Sequence, residues 1–104
     1  MTREVRLSRA AREDIGQIWD YLAVENPGAA DRLLVRLDAR FQVLLQFPEA
    51  GTARPDIDEN VRMLVEHPYV ILYRILPNVV QIVRILHGAR DIGTLSFDDE
   101  PMGG

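Results

Sequence analysis

Apolar residues recur at helical spacing through the first half of the chain and crowd into strand-like runs in the second. Ala11, Ile15, Ile18, Trp19 and Leu22 form one stripe, and Ala30, Leu33, Leu34, Leu37, Phe41, Leu44 and Leu45 form a longer one. Recurrence every three or four residues marks an amphipathic helix that packs by one face. Ser8 precedes the first stripe as an N-cap, and Asn26-Pro27 opens the second with a cap and a proline at the first helical position. Pro48 ends that second helix. The short link at Glu25-Asn26 predicts an antiparallel helical hairpin. Gly16 weakens the first helix by about 1 kcal/mol against alanine. Such a glycine is expected where another backbone approaches closely.

Residues 3–7 alternate, with Arg3, Val5 and Leu7 on one side and Glu4 and Arg6 on the other, as in a short strand. Residues 49–59, with Gly51, Pro55 and Asp56, read as loop. Val61, Met63 and Val65 then alternate with Arg62, Leu64 and Glu66. The runs Tyr69–Ile75 and Val79–Leu86 are almost continuously apolar, β-branched and aromatic, and read as strands. Leu76-Pro77-Asn78-Val79 makes a tight turn, so the stretch 61–86 is an antiparallel meander in which residues 73 and 82 pair. The expected fold class is α+β, ordered β-α-α-β-β-β, an antiparallel sheet with a helical hairpin packed on one face. Strands apolar on both sides need cover on both faces. One hairpin covers one face, so something else, most simply a partner chain, is expected on the other.

A chain of 104 residues that is 47% hydrophobic supports one domain, read as 1–97, with 98–104 as an acidic flexible tail. The absence of cysteine excludes disulfides, thiolate metal sites and thiol catalysis. His67 and His87 lie twenty residues apart, and neither a metal nor a cofactor is expected. No apolar run is long enough to cross a bilayer, and the first residues lack the apolar block of a secretory signal. A cytoplasmic location without membrane contact is the expectation.

The net charge of −4 argues against direct nucleic-acid binding by the molecule as a whole. Its distribution is uneven. Residues 61–90 set Arg62, Arg74, Arg84 and Arg90 against Glu66, a local +3, whereas residues 91–104 hold four carboxylates. All twelve basic residues are arginine, so no lysine is present to act as a base. Glu13, Asp14 and Asp20 read as the solvated face of the first helix.

Arg62, Tyr73 and Arg84 are the candidate cluster. The turn at Pro77-Asn78 sets Arg84 on the face of Tyr73, and Arg62 joins them in one of two registers of the preceding hairpin. With Arg74, His87 and Arg90 they form a candidate partner-binding patch for a carboxylate or phosphate. The alternative is a set of sheet arginines paired within the chain. Trp19 is either a partner contact or core. His87 either serves as a base near neutral pH or closes a strand end through local bonds.

The series Ser8-x-x-Ala11-x-x-Asp14-Ile15-x-x-Ile18-x-x-Tyr21, Asn26-Pro27-x-Ala29-Ala30 and Phe47-Pro48-x-x-Gly51-x-x-Arg54 resembles the ParE toxins of the RelE/ParE superfamily. Val61-Arg62-Met63-Leu64, Tyr69-x-x-x-Tyr73-Arg74 and Val83-Arg84-Ile85-Leu86-His87-x-x-Arg90-Asp91 continue the resemblance, which covers roughly residues 3–92. It implies the toxin of a bacterial toxin–antitoxin pair, silenced by a cognate ParD-like antitoxin in a hetero-oligomer. The ParE branch poisons DNA gyrase without catalysis; the RelE branch cleaves messenger RNA on the ribosome. RelE-like enzymes use lysines, arginines and a tyrosine near the C-terminus. Here lysine is absent and the last tyrosine is Tyr73, so the expectation is a non-catalytic gyrase poison. A ribosome-dependent endoribonuclease is the alternative.

Overall fold

The Ser8 hydroxyl accepts a hydrogen bond from the Ala11 amide and starts helix α1 (Arg9–Glu25). Asn26 ends that helix and caps the next, its side chain accepting from the Ala29 amide at the start of α2 (Pro27–Gln46). One residue thus serves as the whole hairpin link. The computed structural model describes residues 3–88 and Asp91; Arg90 and the tail 98–104 lie outside the described residues.

Five strands form one sheet: β1 (Glu4–Leu7), β2 (Thr52–Ala53), β3 (Arg62–Glu66), β4 (Tyr69–Leu76) and β5 (Val79–His87), in the order β1-β5-β4-β3-β2. The helical hairpin and the three-strand meander stand where the apolar pattern put them. The β4–β5 turn carries Asn78 at φ 62, the positive φ that a type II turn, with proline at its second position, requires at its third.

Three differences bear on function. The sheet is mixed rather than antiparallel, because β1 pairs with β5 in parallel, Glu4 opposite Val79 and Leu7 opposite Ile82. Alternation in a four-residue strand carries no information about its direction. The loop after α2 also contains β2, only two residues long, which pairs with Met63 and Arg62 of β3. Finally, the β4–β5 ladder is irregular at Leu72/Tyr73: Tyr73 pairs with Ile82 as expected, but Leu72 pairs with Arg84. The skipped Val83 is a β-bulge, which reverses the alternation beyond it.

The main core lies between hairpin and sheet. Leu33, Leu37 and Leu44 of α2 meet Ile71, Tyr73, Ile82 and Ile85 of the sheet. Leu34, assigned to the same helical face, is 39% exposed and misses this core. Gly16 has no atom within 4 Å of where its Cβ would stand, so no backbone approaches there.

The opposite sheet face holds a smaller core of Val61, Val70, Leu72 and Leu86, with Ile57 and Met63 packed against it. A partner chain was the simplest cover expected for this face, but a segment of the chain itself supplies part of it. Residues 54–61 fold back through bonds such as Arg54 N–H to the Val61 carbonyl and Ile57 N–H to the Arg54 carbonyl. They bring Ile57 and Val61 onto the sheet.

Candidate functional site

Tyr73 is wholly buried, and its hydroxyl makes two bonds to the segment that follows α2. It donates to the Pro48 carbonyl at 2.6 Å and accepts from the Gly51 amide at 2.8 Å. Gly51 is required here: a Cβ would stand 2.6 Å from that hydroxyl and 2.7 Å from the Met63 carbonyl. Arg62 lies directly opposite Tyr73 across the β3–β4 ladder, which resolves the two registers. Its guanidinium donates to the carbonyls of Gly51 and Glu49. Arg62 and Tyr73 thus grip the same segment, and Tyr73 supports the surface from beneath without reaching it.

Arg84 does not join them. The bulge sets it opposite Leu72 rather than on the face of Tyr73, and Asp14 of α1 engages its guanidinium, with Nε at 2.8 Å and Nη2 at 2.9 Å. The same carboxylate accepts from the Ile85 amide at 2.9 Å. The expected cluster is therefore two clusters. Asp14, read as part of a solvated helix face, is 8% exposed. The reason is geometric. Strand β1 ends opposite Ile82, and beyond it the edge of β5 has no strand partner on that side. Ser8 supplies a hydroxyl to the Val83 carbonyl and Asp14 a carboxylate to the Ile85 amide in its place.

Arg74 pairs with Asp58 of the folded-back segment at 3.0 Å, and its Nε is buried with no partner among the described residues. His87 closes β5, with its ring edge-on to Tyr69 at 6.0 Å, and its Nδ1 is likewise buried and unpartnered among the described residues. Trp19 is half-buried on the hairpin and donates to Asp31 of α2 at 3.3 Å, so it ties the helices together. Among the described residues singled out from sequence, Arg62 and Arg74 line one cleft of about 470 Å³, with Tyr73 opposite Arg62 in the sheet. No group of three or more metal-ligating side chains occurs among the described residues.

Glu66 binds β3 to α2. It accepts from Arg40 and from Arg36, each at 3.0 Å. The hydrogen bond from Arg40 holds its carboxyl below the usual glutamate range, with Arg36 adding to the effect and burial opposing it. The one carboxylate set against the basic region in sequence is thus occupied by cations of a different element. Asp58 and Asp14 do the neutralising there instead. Asp14 had a readable signal, since it falls within the apolar stripe between Ala11 and Ile15, where an acid needs a partner. Asp58 had none, because nothing local shows that the loop folds back.

The chain has clear relatives among known proteins. Residues 5–92 match the family model described as the ParE toxin of the type II toxin–antitoxin system parDE. Toxin RelE2 of Caulobacter vibrioides is 38% identical over 81 residues, spanning 77% of this chain and 89% of that protein. Toxin RelE3 of the same organism is 33% identical over 89 residues, spanning 82% and 94%. A chain from the chromosomal ParDE TA system of P. aeruginosa superimposes with a TM-score of 0.70 at 26% identity, covering 83% of this chain and 96% of its own. The match over almost the whole described region, together with the fold it shares, makes this chain a toxin of the ParE family of type II toxin–antitoxin systems.

Proposed function

We propose that this toxin is not an enzyme, that it acts by binding and poisoning a protein target, expected to be DNA gyrase, and that a cognate ParD-like antitoxin neutralises it. The observation that carries the reading is the Asp14–Arg84 pair. Cleavage of RNA at a 2′-hydroxyl needs a proton acceptor, a proton donor and cations free to follow the charge on the phosphate. Arg84 is held at Nε and Nη2, two of its three donor nitrogens, by a buried carboxylate. Tyr73 is sealed in the core, its hydroxyl bonded to Pro48 and Gly51. The chain has no lysine to replace them.

Arg62 and Arg74 form the centre of the proposed partner surface. His87 and Trp19 lie apart from it, and Arg90 is assigned to it from sequence alone. A second reading, a ribosome-dependent endoribonuclease, draws on the names of two relatives, Toxin RelE2 and Toxin RelE3. Primer-extension mapping of transcripts after induction separates the two. The first reading expects growth arrest without new transcript ends. Cuts at fixed codon positions that vanish in Arg84→Ala assign the protein to the second.

A further inference from the structure

The cleft of about 470 Å³ lies between β2, the folded-back segment and the end of β4. Arg62 and Arg74 line it, together with Glu59, Val61, Ile75 and Leu76. Its two cations are unequally satisfied. Arg74 has one carboxylate partner, Asp58, and a buried Nε with none. Arg62 bonds only to carbonyl oxygens among the described residues, so its charge meets no anion there. A guanidinium in that position attracts an incoming carboxylate strongly. Beside the two arginines, Ile75 is 38% exposed and Leu76 41% exposed.

We infer that this cleft receives an acidic side chain of the antitoxin, with an aliphatic neighbour of that side chain resting on Ile75 and Leu76. The inference rests on the proposed reading of the protein as an antitoxin-bound toxin and says where and by what chemistry the antitoxin is held. Apolar and cationic groups side by side select a short acidic-aliphatic peptide segment. A nucleic acid fits less well. The chain's net charge is −4, and Glu59 on the cleft wall repels a continuous run of phosphates more than a single carboxylate. Asp58 acts as a built-in competitor for Arg74, and Glu59 as a like charge on the cleft wall.

The two acids turn the inference into a test of sign. Titration calorimetry with the purified cognate antitoxin compares wild type with Arg74→Gln, Asp58→Asn and Glu59→Gln, and circular dichroism follows the fold of each. Arg74→Gln is expected to weaken binding by about tenfold or more, since one partner of a desolvated charge pair is lost. Glu59→Gln and Asp58→Asn are expected to bind as tightly as wild type or up to about fivefold tighter, because each removes a competing negative charge. Folded Arg74→Gln with wild-type affinity, or weakening by all three substitutions alike, overturns the cleft. Loss of binding to a short single-stranded RNA in Arg74→Gln, with antitoxin affinity unchanged, also overturns it. An antitoxin that fails to bind wild-type toxin contradicts the broader reading instead, which keeps the two failures apart.

Discussion

Asp14 and Arg84 stand 70 residues apart in the chain and meet in a two-point ion pair, with both carboxylate oxygens engaged at 2.8 and 2.9 Å. Because one of those oxygens also accepts from the Ile85 amide, the pair fixes α1 against β5 where β1 has ended. Removing the acid leaves a guanidinium and an amide without their acceptor. Asp14→Ala is expected to destabilise the fold by about 3 kcal/mol, the scale of a broken, largely buried pair. Arg84→Gln, which takes the charge away with its partner still hydrogen-bonded to Ile85, is expected to cost less. Urea unfolding of both variants checks the order, and equal midpoints with wild type refute it.

Tyr73 has a comparable role in β4, where it ties the segment after α2 to the sheet. Tyr73→Phe keeps the ring in the core but strands the Gly51 amide and the Pro48 carbonyl. A loss of about 2 kcal/mol is expected, from buried polar groups left without partners. Gly51→Ala is expected to be at least as damaging, because its Cβ collides with backbone as well as with Tyr73. Thermal melts of the two variants measure this, and a neutral Gly51→Ala removes the argument for close approach.

The α2 stripe makes a simpler claim. Leu37 is 2% exposed and Leu44 is wholly buried. Truncating either to alanine is expected to cost about 2–5 kcal/mol, the range for cavities in a packed core. Leu34→Ala, on the same helix but 39% exposed, is expected to cost well under that. Chemical denaturation of the three variants compares buried and exposed positions directly.

Glu66 gives a pH signature. Its folded carboxyl titrates below its ordinary value of 4.5, chiefly through the hydrogen bond from Arg40. A depressed carboxylate stabilises the fold fully above its ordinary value, and that contribution is lost as pH falls through the folded one. Wild type is therefore expected to exceed Glu66→Gln by about 1 kcal/mol at pH 7, a modest figure because both arginines are partly solvated. The difference is expected to shrink as pH drops below 4.5. A gap that widens in acid contradicts the assignment.

The helices and the meander were legible because burial imposes a period: Leu33 and Leu37 on one helical face, Tyr73 and Ile71 on one strand face. The pairing of Tyr73 with Ile82 followed from the two-residue turn alone. Features that depend on distant segments were not legible. The bulge at Val83 leaves no mark on composition, yet it decides where Arg84 points. The parallel pairing of β1 depends on how the chain returns from the hairpin. The return of residues 54–61 over the sheet places Asp58 on Arg74, and no local pattern announces it. The basic region of the sequence was real as charge, but its partition into a locked arginine, a paired one and a carbonyl-bound one needed the tertiary structure.

Whether the toxin binds a protein target rather than cutting RNA is decided by a supercoiling reaction. Purified toxin is titrated into DNA gyrase, relaxed plasmid and ATP, and the plasmid topology is read on a gel. Inhibition is expected to saturate with rising toxin and to be reversed by adding the cognate antitoxin. Full supercoiling at every toxin level, with codon-positioned cleavage of messenger RNA by the same preparation in a translation reaction, would contradict it.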